Sequence, residues 1–133
     1  MQIDKKIFLI TGAASGLGLA TAQMIINNGG NAVLLDVNEE AGNKVQQSLG
    51  NKSLFVKTNV VNEDDVKNAI ANAKATFGNI YGIINCAGVG YAKRVVGKEG
   101  PQPLEFFNKV VQINLIGTFN TIRLVAAEMG LVG

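Results

Sequence analysis

Four short apolar runs alternate along the chain with longer segments of helical spacing. Ile7-Phe8-Leu9-Ile10 is continuous and rich in β-branched residues, as a strand buried on both faces is. Ala32-Val33-Leu34-Leu35, Ser53-Leu54-Phe55-Val56 and Ile80-Tyr81-Gly82-Ile83-Ile84 repeat that signature. Between the first two, Leu17 to Asn28 sets Leu17, Ala20, Thr21, Met24 and Ile25 at helical spacing, with Gly29 as the stop. Asn38 to Leu49 and Asn62 to Phe77 are the next two helices, closed by Gly50 and Gly78. Asn62 is suited to cap its helix, and Glu63, Asp64 and Asp65 sit in the first turn, where they favour the helix dipole.

Strand–helix alternation of this kind predicts an α/β fold, with right-handed crossovers and a parallel sheet covered on both faces. Residues 88–103 lack clear periodicity and carry Gly90, Gly97, Gly100, Pro101 and Pro103, which reads as an ordered loop or small excursion. A long helix is expected from Leu104 to about Met129, with Leu104, Phe107, Val111, Leu115, Ile122 and Val125 on one face. A further strand beside the fourth is the next element such a sheet calls for. The chain therefore reads as one domain over residues 1–133 that is the front half of something larger. The open edge of the fourth strand and the unpartnered apolar face of the last helix point to self-association, as a homo-oligomer.

Candidate chemistry concentrates between the first strand and first helix, in Thr11-Gly12-Ala13-Ala14-Ser15-Gly16-Leu17-Gly18. Glycines there allow a tight turn, let a pyrophosphate approach the backbone, and let the helix pack closely on the sheet. The helix N-terminus offers unpaired N–H groups and the positive end of its dipole. The spacing is G-x3-G-x-G, not G-x-G-x-x-G, and no Gly-Lys-Ser/Thr follows, so an ATP or GTP loop is a weak match. A glycine-rich turn without a ligand is the plain alternative. Asp36 ends the second strand, 18 residues after Gly18. A carboxylate there can accept both ribose hydroxyls and repels a 2′-phosphate; neither Ser15 nor Val37 is basic, so NAD is favoured over NADP. Asn59-Val60 and Asn85-Cys86-Ala87-Gly88 follow the third and fourth strands. Either alone is a plain strand-to-loop turn. With the others they form a row at the carboxyl ends of successive strands, where open α/β sheets bind ligands. The expected architecture is thus a Rossmann-like doubly wound sheet in the order 3-2-1-4. Gly12, Gly16, Gly18, Asp36, Asn59 and Ala87 should share one edge of it.

Composition narrows the chemistry further. The 133 residues are 47% apolar with a net charge of +2, which argues for a globular chain and against nucleic acid as partner. The chain has no histidine, which removes Ser-His-Asp and Cys-His systems and the usual zinc sites. The single cysteine, Cys86, reads as a small buried hydrophobe in a reducing, cytoplasmic setting. The most apolar stretch, Ile7 to Ile26, is broken by glycines and polar residues, so no membrane segment is expected. Lys93-Arg94 reads as a solvated pair in a loop.

These residues resemble the short-chain dehydrogenases/reductases. Thr11-Gly12-x-x-x-Gly16-x-Gly18 matches that family's cofactor loop, including Ser15 and Leu17, and Asn85-Cys86-Ala87-Gly88 matches its N-[N/C]-A-G motif. Asn59-Val60 matches its Asp-Val adenine contact, with Asn in place of Asp. Asn114, which alone reads as a polar residue in a helix, matches the Asn of the family's Asn-Ser-Tyr-Lys catalytic set. The excursion at 89–103, Phe106-Phe107 and the run from Gly117 to Met129 look like the 3-hydroxyacyl-CoA dehydrogenase branch, type 2. The resemblance implies an NAD-dependent oxidoreductase that interconverts a secondary alcohol and a ketone on a small-molecule substrate, a 3-hydroxyacyl-CoA. It implies that only the cofactor-binding half is represented here. The two tyrosines, Tyr81 and Tyr91, are followed four residues on by Asn85 and Val95, so Tyr-x-x-x-Lys is absent and no turnover is expected. Two other classes compete: a nucleotide-binding or sensor module without catalysis, and a methyltransferase-like α/β domain. The loop spacing and Asn85-Cys86-Ala87-Gly88 speak against the latter.

Overall fold

The structure, a computed structural model, describes residues 1–130. Its sheet is formed by β1 (Ile7–Thr11), β2 (Asn31–Asp36), β3 (Ser53–Lys57) and β4 (Gly82–Asn85), all parallel, in the order β3-β2-β1-β4. The crossovers are α1 (Gly16–Asn27), α2 (Glu39–Leu49) and α3 (Glu63–Phe77). This is the doubly wound, Rossmann-like α/β architecture that the alternation predicts. Asn38 and Asn62 cap α2 and α3, accepting at 3.0 Å from the Ala41 and Asp65 N–H groups.

Successive side chains of a strand point to opposite faces, and the core divides accordingly. Ile7, Leu9, Val33 and Leu35 face one layer, with Val66, Ala69, Ile70 and Ala73 of α3. Phe8, Ile10, Ala32 and Leu34 face the other, with Ala22 and Ile25 of α1. Each large side chain buried in this way contributes about 1.5–3 kcal/mol. On the second face Gly42 of α2 lies against the Phe55 ring so closely that a Cβ there would overlap it. Gly42→Val is expected to destabilise the chain by about 1–3 kcal/mol, the ordinary cost of overpacking; a melting temperature equal to that of the parent would contradict the contact.

Several expectations need correction. All four apolar runs read as strands buried on both faces, but β3 and β4 are mostly half-buried, because each pairs with one neighbour within the described sheet. Ile80 and Tyr81 precede β4 rather than lying inside it, although the Tyr81 N–H still donates to Ile7 O at 2.8 Å. On α1, Leu17 and Met24 are exposed and the buried stripe is Gly18, Ala22 and Ile25. Cys86 is half-buried, packed beside the second layer rather than within it.

After β4 the chain forms a small antiparallel pair, β5 (Val96–Gly97) and β6 (Gly100–Pro101), within the expected excursion. The long helix follows as α4 (Leu104–Val110), a π-helical stretch (Val111–Gly117) and α5 (Thr118–Glu128). The wider π turns rotate the helix face, since bonding runs i→i+5 instead of i→i+4. Of the six apolar positions assigned to one face, Val125 is buried, while Leu104, Phe107, Leu115 and Ile122 are exposed. The face that meets the sheet is Gly117, Asn120, Thr121 and Val125. Ile7 to Ile26 is divided between a strand, a loop and a helix. Among the described residues the helix long and apolar enough to cross a membrane is Leu104–Glu128, at mean hydropathy 1.3, and here it packs on β4 and α3.

Candidate cofactor site

The carboxyl ends of β1, β2, β3 and β4 open into one cleft of about 410 Å³. That volume lies within the size range of small-molecule sites. Gly12, Ser15, Gly16, Leu17 and Gly18 line it from β1 and α1, Asp36 from β2, Asn59 and Val60 from β3, and Cys86, Ala87 and Gly88 from β4. All eleven residues expected at a cofactor surround this one opening. The cleft also takes in Leu35, Val37, Thr58, Val89 and Ile113, which no motif singled out.

The first turn of α1 is left open. Its first intrahelical bond runs from Leu19 N to Ser15 O, and the Ser15 side chain makes no cap bond. The N–H groups of Gly16, Leu17 and Gly18 precede that bond, at the positive end of the helix dipole. The turn feeding the helix depends on its glycines. Gly12 has φ +64°, and a Cβ on it would stand 2.9 Å from Ala87 N and Cα. A Cβ on Gly18 would collide with the Gly12 carbonyl. Gly16, at φ +54°, has open space where a Cβ would be. That space lies at the helix N-terminus, the kind of position where proteins bind anions.

Asp36 is fixed beside this turn. Its Oδ2 accepts from Ala14 N at 3.0 Å and its Oδ1 from Asn38 N at 3.0 Å, which leaves each oxygen a second lone pair. Thr11, buried at the end of β1, accepts at its Oγ1 from Cys86 N at 3.1 Å and Ala87 N at 3.0 Å. One hydroxyl thus joins the glycine turn to the loop after β4. Asn85 does not face the cleft: its Oδ1 accepts from the buried Thr121 hydroxyl at 2.6 Å, which ties β4 to α5.

The loop after β3 is held from several sides. Asn59 N donates to Asp65 Oδ2 at 2.9 Å, and Asn59 Oδ1 accepts from Val61 N at 3.2 Å. The buried Asn120 of α5 donates from Nδ2 to Val60 O at 2.8 Å, and its Oδ1 accepts from Arg123 at 2.8 Å. Arg123 in turn reaches Glu63, and Lys67 first and Arg123 second hold that carboxyl below its ordinary range. Asn120 was not foreseen, since a polar residue within a helix carries no motif.

Asn114 lies in the π-helical stretch and its side chain does not line the cleft. Its Oδ1 accepts from Val89 N and its Nδ2 donates to Val89 O, both at 2.8 Å. It is joined to the cleft through Val89, one of the lining residues. Lys93 and Arg94 are exposed, with the Lys93 ammonium 4.1 Å above the Phe106 ring. Among the described residues no cluster of His, Cys, Asp and Glu could hold a metal ion.

The model of the short chain dehydrogenase family matches residues 6–131. The chain belongs to that family. It is 45% identical over 126 residues to 3-hydroxyacyl-CoA dehydrogenase type-2 of Homo sapiens, covering 93% of this chain and 48% of that protein. The protein of the same name from Drosophila melanogaster is 42% identical over 131 residues, covering 97% of this chain and 51% of its own. Among solved structures, 3-hydroxyacyl-CoA dehydrogenase type-2 from Mycobacterium avium superposes with a TM-score of 0.87 at 34% identity, over 100% of this chain and 53% of that one. A 3-ketoacyl-(acyl-carrier-protein) reductase from Brucella melitensis, solved with NADH, superposes with a TM-score of 0.86 at 28% identity, over 95% and 51%. The short-chain dehydrogenase half-sheet described above is what these proteins share with the chain, which spans about half the length of the curated relatives it matches.

Proposed function

We propose that the chain is the cofactor-holding half of an NAD-dependent oxidoreductase acting on a secondary alcohol or its ketone, with a 3-hydroxyacyl-CoA as the substrate class. The observation that carries this reading is the uncapped start of α1 beside the fixed carboxylate of Asp36 in one cleft. Its neighbours' names supply the substrate class. NAD, when bound, accepts or delivers the hydride. The chain's own residues bind and orient it. The first-turn N–H groups of α1 take the pyrophosphate, Asp36 accepts the ribose hydroxyls, and Asn59 and Val60 meet the base. Ala87 and Gly88 let the second ribose lie against the backbone, and Asn114 holds that wall through Val89. The same reading makes the protein a homo-oligomer, since Leu104, Phe107, Leu115 and Phe119 are exposed apolar residues on the last helix, and it keeps the cytoplasmic setting argued from the single cysteine.

The alternative reading is a nucleotide-binding or sensor module without catalysis. Titration of NADH and NADPH into the parent and Asp36→Ala tests the nucleotide assignment common to both. The substitution is expected to weaken NADH binding by about 1–3 kcal/mol, as hydroxyls lose a charged acceptor. It should also narrow the gap between NADH and NADPH, because the charge repelling a 2′-phosphate is gone. An unchanged ratio of the two affinities would contradict the assignment of Asp36.

A further inference from the structure

We propose that Asn59 makes the base end of the cleft tolerant of both 6-amino and 6-oxo purines, so that nicotinamide hypoxanthine dinucleotide binds alongside NADH. The inference rests on the dinucleotide reading above. Strand order sets the direction in which such a ligand lies. The phosphate turn leaves β1, Asp36 ends β2, and the next strand outward is β3, whose end carries Asn59 and Val60. A base attached to the ribose held at Asp36 therefore reaches those two residues.

The hydrogen bonds already made there fix which groups are left for it. Asn59 N is taken by Asp65, and Val60 O by Asn120. Asn59 Oδ1 faces the Val61 N–H, which orients the amide, because the reversed amide would set N–H against N–H. Three groups remain: the Val60 N–H, which has no protein partner among the described residues, the Asn59 Nδ2, and the second lone pair of Oδ1. Val60 lines the cleft, so its N–H is a donor open to an acceptor placed there.

Adenine satisfies this set on its Watson–Crick edge, where N1 accepts from Val60 N–H and the 6-amino group donates to Oδ1. A 6-oxo purine carries a proton on N1 and cannot use that edge. Turned about its glycosidic bond, it presents N7 to the Val60 N–H and O6 to the Asn59 Nδ2. Both partners of Asn59 are hydrogen-bonded in one pose or the other, because an amide offers a donor and an acceptor side by side. An aspartate at position 59 would offer acceptors alone. It would keep the adenine pose and set a carboxylate oxygen against O6 in the other.

The test is a fluorescence titration of the full chain with NADH and with reduced nicotinamide hypoxanthine dinucleotide, repeated for Asn59→Asp and Asn59→Ser. The parent is expected to bind the two within about tenfold of each other, since each pose keeps two hydrogen bonds. Asn59→Asp should raise the preference for NADH by about tenfold or more. Asn59→Ser, whose shorter hydroxyl turns to donate or accept, should weaken both cofactors while keeping the parent's ratio; should the aspartate variant fail to fold, unchanged affinities or a shifted ratio in the serine variant overturn the inference. A parent that already rejects the 6-oxo cofactor by more than about tenfold, or a ratio unmoved by Asn59→Asp, overturns the inference while leaving the NAD reading intact. Failure of both cofactors to bind overturns both.

Discussion

No oxidation of NADH by acetoacetyl-CoA is expected from the 133-residue polypeptide, whereas a version extended to the length of its relatives should turn over. The expected gap is at least the roughly 10²–10⁴-fold that a positioned acid–base group supplies. A phenol moves a proton near neutrality only when a nearby cation lowers its pKa from about 10. Neither tyrosine here is placed for that work. Tyr81 precedes β4, at the amino end of the strands and opposite the cleft, with its ring edge-on to Phe8. The Lys6 ammonium lies 3.7 Å above the Tyr81 ring, a lysine–tyrosine contact at the end of the sheet away from the cleft. Tyr91 packs on Phe106 in the excursion after β4. Equal rates of NADH oxidation from the short and extended chains would show that the acid–base machinery lies within these residues after all.

Gly18→Ala is expected to damage both the fold and the cleft, and Gly16→Ala the cleft far more than the fold. At Gly18 the added Cβ meets the Gly12 carbonyl and, at 2.9 Å, Ala13 Cα. Backbone cannot turn aside as a side chain can, so the start of α1 must move off β1. The expected cost is about 1–3 kcal/mol of stability, together with loss of the N–H groups' aim at the phosphate. At Gly16 nothing stands within 4 Å of the added Cβ, so the only conformational penalty is the φ of +54°. That penalty is about 1–2 kcal/mol, but the new methyl group projects into the space proposed for the phosphate's approach. Thermal melts paired with NADH titrations separate the two effects. Equal melting temperatures for the parent and Gly18→Ala would refute the close contact, and unimpaired NADH binding by Gly16→Ala would refute the phosphate approach.

Much of the site could be read before the structure was known, because its chemistry depends on residue types with few other reasons to stand where they do. A glycine turn between an apolar run and a helical stripe, then an acid ending the next run, already orders Gly12, Gly16, Gly18 and Asp36 along one edge, as the sheet confirms. What was not legible depends on tertiary context. The stripe from Leu104 to Val125 assumed a constant period, and the π-helical turns at 111–117 break it, leaving Leu115 exposed and bringing Gly117 against Val60. Leu17 and Met24 fit the spacing of a buried face but lie on the outer side of α1, whose small residues Gly18 and Ala22 allow it to approach the sheet. Asn120 was invisible for a related reason. Its partner Val60 is 60 residues away in sequence, and only the packing of α5 on the loop after β3 brings them together.

The central claim is that a dinucleotide lies along the carboxyl ends of these strands with its phosphates on the first turn of α1. Amide chemical-shift mapping of the isotope-labelled chain during an NADH titration tests it most directly. The account predicts saturable shifts at Gly16, Leu17 and Gly18, with Val60 and Ala87 moving in step and the β5–β6 pair unmoved. Shifts confined to Lys93, Arg94 and the β5–β6 pair, or no shifts at millimolar NADH, would contradict it.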